Sequence, residues 1–265
     1  MTTERVGSYL QGVRAPNPGP MTLEGTNTWI LGEPAAPVVV VDPGPLVESH
    51  LQAVLRACTG GVAGVVLTHR HADHAESAAE LARRAGCGVR AADPAWCVGG
   101  EGLSDGDSLV VRGTTVTVHA TPGHTSDSCS LLVTGEDGVA RLLTGDTVLG
   151  RGTTVIAAPD GDLGAYLASL AALRRLVTEA SVAELLPGHG PRVGDPAAWL
   201  TFYQRHREER LNQVRSALAA GDRSVRDVVV RVYAGIDRSV WPAAEQSVRA
   251  QLDYLDSADS GSTHR

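Results

Sequence analysis

Two periods of apolar spacing divide the chain. Up to about residue 190, short β-branched or aliphatic runs recur at 26–31, 38–41, 65–67, 89–91, 109–120, 130–134, 140–143 and 183–186, and they predict strands. Between them, spacing of three and four predicts helices over 48–58, 72–86 and 161–180. Asn17-Pro18-Gly19-Pro20 and Gly135-Glu136-Asp137-Gly138 mark turns, and Gly86 supplies a helix-ending glycine. After Pro196 the texture becomes wholly helical. A long stripe (Leu200, Tyr203, Leu211, Val214, Leu218) predicts a helix over 197–220. Gly221-Asp222 breaks it, Ser224 caps a second helix over 225–234, and a third runs over about 242–255. Strands alternating with helices, then helices alone, predict an α/β catalytic domain over 1–195 and a small helical domain over 196–256. The polar residues 257–265 read as a disordered tail.

Chemistry concentrates at strand ends. His69-Arg70-His71-Ala72-Asp73-His74 follows the apolar run ending at Leu67 and leads into a predicted helix. Three further residues, each preceded by glycine, come directly after later predicted strands: His124 in TPGHT, Asp146 in TGDT and His189 in PGHG. Glycine permits the tight turn each position needs. Open α/β sheets bind ligands at the carboxyl edge of their strands, and repeated delivery of imidazole and carboxylate to one edge is what a shared metal site requires. The set suffices for two ions. His69, His71 and His124 would hold one, Asp73, His74 and His189 the other, and Asp146 is available to bridge. Two zinc ions lower the pKa of a shared water to about 7 and polarise a substrate oxygen, so a metal hydroxide serves as nucleophile and Asp73 can orient it. Iron or manganese satisfies the same ligands.

Composition removes competing chemistries. All 23 basic residues are arginine, which excludes a P-loop lysine, a Schiff base and a lysine general base. A formal charge of −7 counts against a nucleic-acid coat or a membrane-surface protein. The four cysteines (Cys58, Cys87, Cys97, Cys129) show no CxxC spacing and read as reduced thiols. Residues 1–10 carry no apolar signal-peptide core, and no run of about 18 apolar residues occurs, so a cytoplasmic protein with no membrane span is expected.

As a set, HxHxDH followed by His124, Asp146 and His189 resembles the metallo-β-lactamase superfamily over roughly residues 20–195. The resemblance implies an αββα sandwich with a dinuclear site at one edge. Tyr203 to Arg210, Val225 to Val228 with Tyr233, and Trp241 to Leu255 look like the winged-helix-type domain of the β-lactamase-like protein 2 group. Gly25-Thr26-Asn27-Thr28 is similar to that group's N-terminal strand signature. Animal members of the group cleave single-stranded RNA, and other relatives hydrolyse thioesters. Asn27 is carried forward as a substrate-proximal candidate, beside the plainer reading of a local backbone hydrogen-bonder.

The sequence therefore favours a zinc-dependent hydrolase acting through a dinuclear metal-bound hydroxide on a small-molecule thioester or ester. One alternative is a metal-dependent endoribonuclease on single-stranded RNA. Another is a nucleic-acid-binding regulator with a vestigial metal site. Residues 201–231 hold seven arginines against four acids, a local excess that suits either RNA contact or a solvated helix face. His50, His119 and His264 are not expected to be ligands, and Cys129 is expected to be a small core residue.

Overall fold

In the computed structural model, residues 2–262 are described apart from Pro34 and Ile236. Two sheets form the centre. One has six strands in order β1 (Thr3–Arg5), β2 (Leu10–Arg14), β3 (Asn27–Leu31), β4 (Val38–Val41), β5 (Val62–Val66) and β6 (Val89–Arg90). It is antiparallel from β1 to β4 and parallel from β4 to β6. The other places β11 (Glu184–Pro187), β10 (Ala140–Gly145), β9 (Cys129–Gly135), β8 (Thr114–Ala120) and β7 (Ser108–Val111) side by side. Only its β10–β11 pair is parallel.

The period-two pattern explains the layering. In β4, Val39 and Val41 face the other sheet and meet Leu131, Val133 and Leu143. Val38 and Val40 face outward, against Leu51 and Val54 of α1 (Glu48–Ala57) and Leu81 of α3 (Ala78–Ala85). In the second sheet Leu143 and Leu186 point inward, whereas Leu142 and Leu185 point out toward α4 (Leu163–Glu179). Each fully buried side chain of this kind contributes about 1.5–3 kcal/mol. The result is an αββα sandwich. Residues 72–86 do not form one helix. They divide into α2 (Ala72–Ala75) and α3, because Ser77 turns its N–H and hydroxyl to the Gly44 carbonyl, and the hydroxyl also reaches Pro43 O.

The C-terminal helices are α5 (Pro196–Ala219), α6 (Val225–Val232), which opens on a Ser224–Asp227 capping box, and α7 (Trp241–Ser262). The sequence treats them as a separate domain, but they share one hydrophobic cluster with the sandwich. Tyr166 and Leu170 of α4, Leu200 and Tyr203 of α5, Val228 of α6 and Val248 of α7 all belong to it. The long α5 is thus a spine common to both parts. The tail expected from residue 257 is helical as far as Ser262, continuing α7, while residues 263–265, with His264, lie outside the described residues.

Tyr203 ties α5 to the turn beyond β10, its hydroxyl accepting the Leu149 N–H at 2.7 Å in a buried setting. Tyr203→Phe strands that N–H, and a loss of about 1–3 kcal/mol is expected. A lower urea midpoint with unchanged slope is the expected readout, and an unchanged midpoint contradicts the tie.

Candidate metal centre

Strand direction brings the ligands together. β4 and β5 run parallel, β8 and β10 point the same way through the antiparallel β9, and β11 parallels β10. Asp42, the 68–74 turn, His124, Asp146 and His189 therefore follow strand ends on one edge of the sandwich. The backbone seals the junction, since Cys129 N–H donates to Thr68 O at 2.8 Å and Asn27 N–H to Gly188 O at 2.7 Å.

Two groups of donor atoms form there. His71 Nδ1 lies 3.1 Å from His69 Nε2 and 3.0 Å from His124 Nε2. His189 Nε2 lies 3.1 Å from both His74 Nε2 and Asp73 Oδ2. Asp146 stands between the groups, with Oδ1 3.4 Å from His74 Nε2 and Oδ2 3.3 Å from His189 Nε2 and 3.8 Å from His124 Nε2. The structure thus brings all seven residues singled out in the sequence to one place.

Their far-side partners define which atoms face inward. His124 Nδ1 lies 2.9 Å from Val155 O, and a carbonyl only accepts, so that nitrogen carries the proton and Nε2 presents a lone pair. His74 Nδ1 meets Asp42 Oδ2 at 2.9 Å, so its Nδ1 proton is likewise held on the far side and Nε2 is the atom turned inward. Thr68 donates its hydroxyl to Asp42 Oδ2 at 2.6 Å, which leaves the oxygen free to accept from His69 Nδ1 at 3.1 Å. Asp42 Oδ1 takes the Thr68 N–H at 2.8 Å. Asp42 is the site residue that sequence reasoning missed. Its signal was the strand-end Asp-Pro-Gly after four valines, the same placement that marks the other ligands. Its φ of +49° is a costly conformation for a residue with a side chain, and the bonds to Thr68 and His74 hold it there.

Asn27, put forward as substrate-proximal, has another use. Its amide donates to Pro187 O at 3.1 Å and Gly190 O at 2.9 Å, so it braces the turn that carries His189. Trp29 Nε1 adds a bond to Pro187 O at 3.2 Å. Arg70, inside the six-residue motif, points away from the donor atoms. It meets Asp160 at 2.5 Å, Asp93 at 3.5 Å and Asp127 at 3.7 Å, tying the motif to the loops that border the site. His50 bonds Thr28 Oγ1 and burial lowers its pKa to about 4, His119 lies within β8, and Cys129 is packed between the sheets.

The electrostatics suit a cation. Burial works against imidazolium at His74 and His189, but Asp146 with Asp42 at the first, and Asp146 with Asp73 at the second, outweigh it. The pKa of His74 is raised and that of His189 reaches about 9. Burial opposes ionisation of Asp146 too, yet the same histidines hold its carboxyl well below the ordinary value. His69 and His124, where burial dominates, are lowered. Asp146 Oδ1 is buried with no hydrogen-bond partner, the orphaned acceptor expected of a ligand atom. Donor atoms about 2.0–2.1 Å from a shared zinc lie a little over 3 Å apart, as these do. The residues fit two metal ions.

A metallo-beta-lactamase superfamily model matches residues 21–189, and a beta-lactamase associated winged helix domain model matches residues 224–259. The chain belongs to the metallo-beta-lactamase superfamily and is a hydrolase of that class. Within it, the chain is 30% identical to the beta-lactamase-like protein 2 homolog of Caenorhabditis elegans, over 95% of this chain and 85% of that protein. The Drosophila melanogaster homolog is also 30% identical, over 91% and 85%. A beta-lactamase domain protein of Burkholderia ambifaria superposes with a TM-score of 0.79 at 22% identity, covering 97% of this chain and 88% of that one. Its likeness extends the shared fold through the C-terminal helices.

Two outcomes are expected. A Cβ on Gly188 would sit 2.6 Å from both Asp146 Oδ1 and His74 Cε1. Gly188→Ala is therefore expected to weaken metal binding roughly 10–100-fold while the chain stays folded, as elemental analysis beside circular dichroism will show. The second concerns protons. At pH 7 the metal-free site holds protons on His74 and His189, and metal can bind their Nε2 atoms only by displacing them. Zinc added to chelator-treated protein is expected to release protons at pH 7 and progressively fewer as pH rises through about 9. Release that is the same on both sides of that range contradicts the assignment.

Proposed function

We propose that the chain is a dinuclear zinc hydrolase of small thioester or ester substrates, with iron or manganese as the other ions its ligands accept. The observation that carries the reading is the convergence of two groups of three donor residues about Asp146. A two-metal centre supplies an activated water and an electrophilic hold on the substrate oxygen. The chain's own residues do the rest. His69, His124 and His74 are fixed from behind by Thr68, Val155 and Asp42 in turn, and His71 and His189 complete the set. Asp73 is partly exposed and stands at the open side, with Thr26 Oγ1 at 3.5 Å from its Oδ2, placed to orient water and accept its proton. The carboxylates and imidazoles of the centre all serve as ligands or hold ligands. A thioester suits such a site because a thiol of pKa about 8.5 departs as thiolate without a proton donor.

The C-terminal arginines support a small substrate over RNA. Arg205 pairs with Glu209, Arg226 with Glu245 and Arg231 with Asp222, while Arg210 lies over the Tyr233 ring. Three of the seven arginines of residues 201–231 are thus paired with acids and a fourth is held on a ring. The described cysteines are all free thiols and no described helix is long and apolar enough to cross a membrane, which suits the reducing cytoplasmic setting of this reading.

Purified protein is expected to carry about two metal ions per chain by elemental analysis, and to hydrolyse members of an acyl-thioester panel. Asp73→Ala is expected to lower turnover by about 10²–10⁴-fold with its fold intact. Cleavage of labelled single-stranded RNA by the wild type but not by Asp73→Ala, without thioester turnover, would replace this reading with the endoribonuclease one. Metal-free protein with full activity would overturn both.

A further inference from the structure

A second polar cavity lies away from the donor atoms, where the sandwich meets the C-terminal helices. It has a volume of about 220 Å³ and is bordered by Thr154 and Val155 on one side and by Arg207, Arg210, Tyr233 and Gln251 on the other. Arg207 is 5% exposed and Gln251 3%. Burying a guanidinium is costly unless a charge partner is present. Among the described residues, no carboxylate pairs with Arg207. One Nη donates to Thr154 O and the guanidinium lies 4.9 Å from the centre of the Tyr166 ring, but Nε has no hydrogen-bond partner. Gln251 Oε1 and His206 Nδ1, which border the same cavity, are also buried without partners. Three unsatisfied polar atoms around one cavity, two of them on side chains more than nine-tenths buried, are far from the usual interior, where such atoms are paired. Among the described residues no acid lines the cavity, and Arg207 and Arg210 reinforce burial in lowering the His206 pKa to about 4.

We propose that this cavity is a binding site for a small phosphate- or carboxylate-bearing molecule, its anionic group held by the Arg207 guanidinium with Arg210 at the rim, and a hydroxyl or other donor of the same molecule meeting Gln251 Oε1. The unmet donor and the absence of acids select an anion, and arginine is the side chain best shaped for those groups. The site is separate from the metal centre but joined to it. Arg207 holds Thr154 O, Thr154 Oγ1 is 3.2 Å from His124 Nδ1, and Val155 O is the acceptor that fixes the same nitrogen. An anion drawn to Arg207 thus pulls on the two-residue segment that orients a metal ligand.

The test is phosphorus NMR of the metal-loaded full-length protein titrated with inorganic phosphate and, in parallel, with glycerol phosphate. Carbon-13 acetate serves as the carboxylate probe. Saturable broadening is expected in the wild type and in Asp73→Ala. It is expected to weaken about tenfold or more in Arg207→Gln and in Ala243→Phe, which fills the cavity from α7. Ala243→Phe leaves the arginine in place, so it remains informative should Arg207→Gln fail to fold. Glycerol phosphate binding more tightly than inorganic phosphate points to a phosphorylated metabolite, and the reverse order to the free ion. Binding that survives Ala243→Phe but is lost in Asp73→Ala would put the anion on the metals and overturn the proposal, as would no saturable binding to any of the three probes.

Discussion

Five imidazoles and two carboxylates crowd one sheet edge with lone pairs turned toward each other, and the rest of the molecule is arranged to hold them there. His69 and His124 carry their protons on the far side, so the nitrogens they turn to His71 Nδ1, at 3.1 and 3.0 Å, are both acceptors, and one proton on His71 satisfies only one of them. Nor can every imidazole take up a second proton. Burial drives His69 and His124 to the neutral form while the acids draw protons onto His74 and His189. Without cations the site is therefore a compromise of mixed protonation, sustained by surrounding structure rather than by its own energetics. Strain of this kind persists only where the scaffold over-determines it.

That scaffold has a hub in Asp42 and Thr68. One carboxylate, at the end of β4, fixes both the backbone and the hydroxyl that follow β5, and through them His69 and His74. Thr68 O then receives Cys129 N–H from the second sheet. The two sheets are thus stitched together at the point where their ligands meet. Asn27 and Trp29 do the same for the β11 turn, from β3. Glycines make the closeness affordable: Gly145 has φ +47° with Thr68 Oγ1 2.6 Å from where a Cβ would lie, and Gly123 turns against the α4 backbone. A ligand displaced by a fraction of an ångström would pull on both sheets, so metal affinity and the integrity of this edge are one property.

The order of strands and helices and the convergence of seven candidate residues were legible in the sequence because both leave local marks, while the αββα sandwich followed from the family resemblance. β-branched runs set the strands, and a histidine or aspartate just past a run, after glycine, reports delivery to a sheet edge whatever the intervening length. Asp42 left the same mark, but its role lies in a bond to His74, 32 residues away, that no local pattern specifies. Asn27 left two readings open for the opposite reason. A polar residue at the start of a strand signals the neighbourhood of a site, yet whether its amide faces substrate or backbone depends on the turn after β11 lying beside it. The helix expected over 72–86 breaks at Ser77 because of Gly44, again a tertiary partner. The core that the C-terminal helices share with α4 left no such mark: apolar stripes predict that α5 and α7 bury a face, not against what.

The shared core of α4, α5 and α7 has a mechanical consequence for the site. His124 takes its orientation from Val155 O, and the segment 154–155 is pinned to α5 through Arg207. The turn beyond Asp146 is pinned to the same helix by Tyr203 and by Trp199, whose Nε1 donates to Leu149 O at 2.8 Å. One helix therefore supports the segments that follow or position two ligands, including the one between the two donor groups. A catalytic domain ending before α5 would keep all seven donor residues but lose these supports. The C-terminal helices belong to the metal centre by this route, whatever else they bind, and that dependence explains why α5 is long, continuous and buried along one face.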